Sequence, residues 1–250
     1  MIKKINKLLT IPNNNSKLLF IRNEQIKLSD YFSAINLSYD FLTYQQLFLK
    51  PKEQLADYDV LVLSFGKITV NKFECLLALG KQANKRKIPL LFSLDGLSDN
   101  SVSFQAFDKL SNQLTYTVMI GNYQDVMASA GYKGEPGESH DMELIKKIAR
   151  VYRSVVVIKT EKITITDGEN CFIINDMQDQ LAIYDITLIE ALISRYLGEN
   201  NEQKIIKKVI LACQHYQRIL GAIEAGPKQQ QILEIINTVN LTEAISGTDI

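Results

Sequence analysis

Polar residues follow the apolar runs of this sequence at the points where the strands of a buried sheet would end. Four mostly apolar runs are predicted to be strands of a buried sheet, and they span 60–63, 88–92, 116–120 and 155–158. In open α/β sheets, ligands bind beyond the carboxyl ends of the strands. The residues that could do chemistry are therefore the short segments after these runs and before a late helix, at 64–67, 93–97, 121–125, 159–161 and 184–187.

The segment 184–187, at the start of the late helix, is the most informative one for whether the chain could transfer a phosphoryl group. A helix start that binds phosphate needs glycines, which let the oxygens reach backbone amides, and a base nearby to accept the alcohol proton. Here Tyr184 and Ile186 place side chains in the path, and the Thr187 hydroxyl is too weak an acid to be a base near pH 7. Asp185 could serve as a substitute base; its alternative role is the N-cap of a helix that begins at Ile186.

Two other segments carry side chains that could bind a nucleotide or its metal ion. Asn122 and Asp125 follow the third run, and an aspartate suits Mg²⁺ directly or through water. Alternatively, these two residues only begin a helix. Lys159 and Glu161 follow the fourth run, where the lysine could bind phosphate as a point charge or could equally face solvent.

The elements that must position these groups alternate between strand and helix. Asn71 with Glu74 is a predicted capping pair for the helix after the first run, and Asp141 is the predicted N-cap of a later helix. The runs at 163–165 and 171–174 flank turn residues and predict a β-hairpin or meander. Three helices are then predicted, at about 186–197, 201–224 and 227–238.

This order predicts an α/β fold of three layers, with helices on both faces of a mostly parallel central sheet and a late β-hairpin. No linker divides the chain, so residues 1–250 are predicted to form a single domain. The loop at 131–139, which carries three glycines and a proline, is the predicted mobile segment.

Composition excludes several functional classes. The chain has 250 residues, of which 46% are apolar, and this suffices for one large globular domain. Its 28 basic and 28 acidic residues balance, so neither nucleic acid nor a membrane is an expected partner. No apolar run approaches the roughly 18 residues of a spanning helix, and the lysine-rich start lacks a signal peptide, which predicts a cytoplasmic protein.

The cysteines and histidines form no catalytic or metal-binding pattern. Cys75, Cys171 and Cys213 are isolated, which argues against a disulfide framework or a zinc site. His140 and His215 have no serine, cysteine or acidic partner at a telling spacing, so the sequence predicts no triad and no histidine metal site.

Residues 58–96 read as one βαβ unit that resembles the matching unit of the hydroxyethylthiazole kinases, which are ribokinase-like enzymes of thiamine salvage. Weaker similarity covers most of the chain and includes Gly121-Asn122 and Gly226-Pro227. The resemblance implies the ribokinase-like fold, ATP and Mg²⁺ as cofactors, and phosphorylation of 4-methyl-5-(2-hydroxyethyl)thiazole. It also implies a homotrimer with sites between subunits.

At several positions this chain departs from the residues that the resemblance implies. The family has Gly-Thr-Gly-Cys where this chain has Tyr-Asp-Ile-Thr, so Thr187 replaces the catalytic cysteine and Tyr184 stands at a substrate contact. Ile120 replaces an arginine that the family uses on the nucleotide phosphate. Thr43 and Gly66 fall at the implied positions of further substrate contacts.

The implied nucleotide site is kept in part. Asn122 agrees with the family, Asp125 replaces a glutamate, and Lys159 with Glu161 lies at the strand end that faces the nucleotide. These changes lead to the hypothesis of a kinase homologue with reduced or lost activity. Three alternatives stay open: an active kinase of another small alcohol with Asp185 as base, a module that binds a thiazole, pyrimidine or nucleotide without turnover, and a partner subunit for an intact paralogue.

Overall fold

The computed structural model of the protein describes residues 16–22, 38–47, 55, 57–132, 140–175, 185–199 and 202–222. These residues form one eight-stranded sheet in the order β2-β1-β3-β4-β5-β6-β7-β8. The strands are β1 (Lys17–Arg22), β2 (Ser38–Thr43), β3 (Val60–Ser64), β4 (Leu90–Ser93), β5 (Val118–Gly121), β6 (Val155–Lys159), β7 (Lys162–Thr166) and β8 (Cys171–Asn175).

The pairing of the strands confirms the predicted mixture of parallel and antiparallel ladders. From β2 to β6 every neighbouring pair is parallel. The last two pairs, β6 with β7 and β7 with β8, are antiparallel and form the predicted meander. A parallel sheet must be covered on both faces, which explains why its inner strands are mostly apolar.

Helices cover both faces of the sheet. The helices of the described residues are α1 (Tyr44–Leu47), α2 (Val70–Arg86), α3 (Ser101–Ser111), α4 (Tyr123–Ser129), α5 (His140–Tyr152), α6 (Asp185–Leu197) and α7 (Ile205–Ala222), with a 3-10 turn at Leu97–Asp99. Helices α6 and α7 pack on one set of strand side chains, including Val62 and Ile120. Helices α2 to α5 pack on the opposite set, including Leu63 and Met119. The predicted three-layer architecture is therefore confirmed.

The start of α2 differs from its prediction. Thr69 is the N-cap, because its side chain accepts a hydrogen bond from the backbone N–H of Lys72 at 3.3 Å. Asn71 and Glu74 lie inside the helix, so the predicted capping pair is wrong. Threonine is a favourable cap, although asparagine ranks above it, and Thr69 has the extended backbone that a cap requires.

Several other predicted boundaries shift. Asp141 is the second residue of α5 and not its N-cap, because the helix already begins at His140. Strands β1 and β2 and helix α3 are not among the predicted elements; β2 is a half-buried edge strand with a weak apolar signal. The predicted helix at 227–238 and most of the loop at 131–139 lie outside the described residues.

Two global properties bear on function. Within the described part of the chain, the model contains no helix whose length and apolar character would let it cross a membrane. All three cysteines are described, and no disulfide joins them.

Candidate functional site

The ends of the central strands bring the predicted polar segments to one edge of the sheet. In the ladders, Ser64 pairs with Ser93, Ser93 pairs with Ile120, and Gly121 pairs with Ile158. The residues that follow these positions therefore lie side by side. The parallel pattern thus positions four of the five predicted segments as expected, and the fifth is considered with α6 below.

Asp125 is buried and holds the loop after β4. Its Oδ1 accepts hydrogen bonds from the backbone N–H of Ser98 at 2.8 Å and from the Ser98 hydroxyl at 2.7 Å. Only 1% of Asp125 is exposed, and this burial raises the pKa of its carboxyl, while the Ser98 hydrogen bonds partly oppose the rise. Asn122 is the N-cap of α4, since its side chain accepts from the Asp125 backbone N–H at 2.7 Å. The two residues therefore begin α4, and their role in binding a nucleotide or its metal ion stays a prediction.

Ile120 belongs to the core and not to the surface of the sheet edge. Its side chain is fully buried in the cluster formed with α6 and α7. The next residue, Gly121, lies close to the loop after β4, because a Cβ there would be 3.1 Å from the Leu94 Cβ. The end of β5 is thus tightly packed and presents no cation.

Lys159 and Glu161 lie at the tight turn between β6 and β7. Lys159 is the last residue of β6 and is half-buried, whereas Glu161 is exposed. Thr160 closes the turn, since its backbone N–H donates to the Lys162 carbonyl at 3.0 Å. Both predicted residues therefore reach the same edge of the sheet as Asp125, and their role in nucleotide binding stays a prediction.

Thr43 is the last residue of β2, and Gly66 lies in the loop just after β3. The Thr43 backbone N–H donates to the Gln46 side chain at 2.8 Å, which fixes the start of α1. Gly66 has a φ of 45°, in the region that favours glycine. A Cβ on Gly96 would lie 3.6 Å from the Gly66 carbonyl carbon, so the loops after β3 and β4 touch.

Helix α6 begins at Asp185, one residue earlier than predicted. Asp185 is therefore the first residue inside the helix. The prediction that it is the N-cap, with the helix beginning at Ile186, is wrong by one residue. Thr187 lies in the same first turn. Tyr184 and the side chains of Asp185 and Thr187 lie outside what the structure describes.

A buried ion pair joins the end of β1 to α6. The Arg22 Nη2 donates to the Glu190 Oε2 at 2.6 Å, and both side chains are shielded from solvent. Burial raises the pKa of the Glu190 carboxyl, while the charge of Arg22 and the Ser93 hydroxyl lower it. This pair lies at the candidate site and was missed by sequence reasoning, because no local pattern links residues that are 168 positions apart.

Lys72 is a second functional candidate that sequence reasoning missed. It lies in the first turn of α2 and is only 3% exposed. Its Nζ donates to the Lys67 carbonyl at 3.4 Å and lies 4.7 Å from the centre of the Tyr44 ring. A signal did exist, because Lys72, Leu76, Leu79 and Ala83 follow helical spacing and share the buried face of α2.

Asp95 connects these groups electrostatically. It is exposed in the loop after β4. Its negative charge contributes to the raised pKa values of Asp125 and Glu190, and it raises the pKa of Lys72 against the larger, opposite effect of burial. The three buried groups therefore share one electrostatic environment at the carboxyl edge of the sheet.

A cleft of about 670 Å³ adjoins this edge between the 3-10 turn, α3 and α4. Its wall combines aromatic and apolar side chains such as Phe104, Met127 and Tyr132 with polar residues such as Ser98 and Gln124. Such a size and lining suit a small organic molecule. Among the described residues, no group of three or more His, Cys, Asp or Glu side chains is arranged to hold a metal ion.

Known proteins of one family are similar to this chain. A model of the hydroxyethylthiazole kinase family matches residues 52–241. The hydroxyethylthiazole kinase of Thermoanaerobacter pseudethanolicus is 27% identical over 125 residues, which cover 47% of this chain and 47% of that protein. The enzyme of the same name from Chloroflexus aurantiacus is 25% identical over 170 residues, which cover 64% of this chain and 63% of that protein. The chain thus spans between about half and two thirds of the length of these curated relatives.

Solved structures with the same fold extend the comparison. The structure of a hydroxyethylthiazole kinase protein from Pyrococcus horikoshii OT3 has a TM-score of 0.77 at 14% identity and covers 97% of this chain and 94% of its own. A pyridoxal kinase of Staphylococcus aureus in complex with AMP-PCP has a TM-score of 0.66 at 13% identity, covering 87% of this chain and 92% of its own. These likenesses confirm the predicted ribokinase-like fold. Because the family model matches well over half of the sequence, the chain belongs to the hydroxyethylthiazole kinase family.

Proposed function

We propose that this chain binds a nucleotide and a small alcohol at the carboxyl edge of its sheet, but phosphorylates hydroxyethylthiazole slowly or not at all. The observation that carries the proposal is the burial of Ile120 in the core beneath α6. The family resemblance implies an arginine on the nucleotide phosphate at this position. An isoleucine there supplies neither a charge nor the paired N–H donors that hold a phosphate.

The start of α6 supports the same conclusion. Tyr184, Ile186 and Thr187 replace the glycines and the cysteine of the family loop. The loss of one preorganised donor typically lowers a rate by about a hundred- to a thousandfold. Because several such groups are absent, most of the transition-state stabilisation of the family reaction is lost, although such effects do not simply add.

Nucleotide binding is supported by what remains at the edge. Asp125 is the carboxylate that would contact Mg²⁺, directly or through water, with Asp95 beside it. The Oδ1 of Asp125 already accepts two hydrogen bonds from Ser98, so its other oxygen is the proposed ligand of the ion. One or two carboxylates together with nucleotide phosphates form a sufficient set of ligands for Mg²⁺. Lys159 is the proposed contact to a phosphate.

A coupled assay of ADP release, with and without hydroxyethylthiazole, tests the proposal. The Pyrococcus horikoshii protein is the positive control. We expect turnover of this chain to be at least a hundredfold lower. Grafting the family loop by Tyr184→Gly, Ile186→Gly and Thr187→Cys is expected to raise it. A turnover by the unmodified chain that equals the control would overturn the proposal.

A second candidate is an active kinase of another small alcohol. The position of Asp185 in the first turn of α6 favours it, because that turn is where the family has its catalytic loop. If Asp185 is the base, ADP release with the alcohol that the wild-type protein phosphorylates should disappear in Asp185→Asn. Full activity of this variant would exclude Asp185 as the base.

A further inference from the structure

The Lys72 ammonium has more hydrogen-bonding capacity than the described residues use. An ammonium group offers three N–H donors. Among the described residues, one acceptor is engaged, the Lys67 carbonyl at 3.4 Å, and no carboxylate forms an ion pair with Lys72. The Tyr44 ring below the ammonium adds a cation–π contact. A buried charge with so few partners is costly unless a further group completes its shell.

The position of Lys72 in α2 directs its ammonium toward the candidate site. Side chains on a helix lean toward its N-terminus, so Lys72 in the first turn of α2 extends toward the loop after β3. That loop contains Gly66, which together with Thr43 is a proposed substrate contact. Tyr44 is held in place because its hydroxyl donates to the carbonyls of Ser64 and Ile21. The ammonium therefore lies on a fixed aromatic base among the strand ends.

We propose that Lys72 is the cation of a subsite for a ligand that carries a phosphate group, at the ends of β2 and β3. An anionic oxygen would supply the charge and the acceptors that the described residues do not provide, in charge-assisted hydrogen bonds. The inference rests on the binding half of the proposed function, because it names the ligand class of the same edge.

The titration of Lys72 gives this subsite a measurable signature. Burial lowers the pKa of the Lys72 amine to about 7, and Asp95 opposes the shift. Among the described residues, Tyr44 from α1, with its raised pKa, also faces the amine, and the charge of Arg22 acts on Tyr44. Near pH 7 the free protein therefore holds a mixture of neutral and charged Lys72. An anion that binds the charged form raises the pKa, so the complex takes up protons.

Calorimetry with inorganic phosphate and with hydroxyethylthiazole phosphate tests the inference at pH 7 in two buffers of different ionisation enthalpy. For at least one of these anions we expect saturable binding with net uptake of up to about half a proton per ligand. Lys72→Met should weaken binding at least tenfold. Lys72→Arg should keep binding but lose the Lys72 contribution to proton uptake, because arginine stays charged throughout, while the proton exchange of the phosphate itself is common to both proteins. Lys85→Met, at the exposed end of α2, is the matched control and should change neither.

A second measurement does not depend on the folding of these variants. In protein with ¹³C-labelled lysine, one resonance should titrate near pH 7, and added phosphate should move its midpoint upward. Absence of saturable binding of both anions, equal binding by Lys72→Met, or an unmoved midpoint would overturn the inference. The proposed function would survive each of these results, while rapid phosphorylation of hydroxyethylthiazole would overturn that function and leave the Lys72 subsite intact.

Discussion

Single side chains set the electrostatics of the sheet edge. Arg22 and Glu190 form a buried ion pair at 2.6 Å, in which each charge is the partner of the other. Breaking a buried pair leaves an uncompensated charge, which usually costs about 3–5 kcal/mol. An exposed pair is worth at most about 1 kcal/mol.

Arg22→Met is therefore expected to lower the free energy of unfolding by about 3–5 kcal/mol, because Glu190 stays buried without its partner. Urea unfolding measures the loss. Lys17→Met is the matched control, since the Lys17–Asp40 pair is about half exposed, and it should cost at most about 1 kcal/mol. The double variant Arg22→Met/Glu190→Met should recover most of the stability. Equal losses for the buried and exposed pairs would contradict the interpretation.

Lys72 should make stability depend on pH in an unusual direction. Its pKa is lowered from an ordinary value of 10.5 to about 7 in the folded state, so the unfolded state binds more protons between these values and stability rises with pH. We expect Lys72→Met to be the more stable protein at pH 6. Its advantage over the wild type should shrink by about 1.4 kcal/mol per pH unit above pH 7. An advantage that does not vary with pH would show that the amine titrates normally.

Asp125 combines a structural and a proposed metal-binding role, and two substitutions separate them. Asp125→Asn keeps an oxygen that can accept from Ser98, so stability should change little, while Asp125→Ala should lose about 1–3 kcal/mol because the Ser98 donors become unsatisfied. Thermal unfolding compares the two variants, and calorimetry with ATP and Mg²⁺ measures nucleotide binding. We expect both variants to bind Mg-ATP more weakly. Undiminished binding by Asp125→Asn would remove Asp125 from the proposed metal site.

At the scale of elements, the strands that could be predicted from sequence are those marked by a local apolar pattern. The runs that became β3, β5 and β6 are long, apolar and bounded by turn residues, so their identity as buried strands follows directly. The start of α2 was mispredicted because Thr69 and Asn71 are both competent caps, and only the path of the chain chooses between them. The edge strand β2 was not predicted because its pattern of Ser, Tyr and Asp lacks an apolar run.

The cap of α2 can be tested directly. Thr69→Ala should destabilise the protein by about 1 kcal/mol, because the Lys72 backbone N–H loses its acceptor. Asn71 lies two residues later and is exposed, so Asn71→Ala should hardly change the stability. Chemical unfolding of both variants in parallel would decide. A larger effect at Asn71 would restore the capping pair that the sequence suggested.

The candidate site shows a similar limit of prediction. The segments after β4, β5 and β6 were identified from sequence because parallel strands end at one edge. Lys72 and Glu190 were not, since their burial depends on helices that pack over that edge from both faces of the sheet. Sequence alone therefore finds where chemistry can occur, while the charges that tune it come from tertiary packing.

At the scale of the whole molecule, the resemblance implies a homotrimer with sites between subunits. We expect light scattering after size exclusion to give a mass of about three times the 28.4 kDa of one chain. If the subunits complete each other's sites, dilution that dissociates the assembly should also abolish ligand binding. A monomer that binds ligand fully would contradict this arrangement.

Ser98 links the cleft to the buried carboxylate of Asp125. Ser98 lines the cleft of about 670 Å³, and the same residue supplies both hydrogen bonds to the buried carboxylate of Asp125. A compound designed to fill the cleft and displace the Ser98 hydroxyl would also alter the protonation of Asp125. Small-molecule screening against the cleft is thus a chemical route to the sheet edge that requires no mutation.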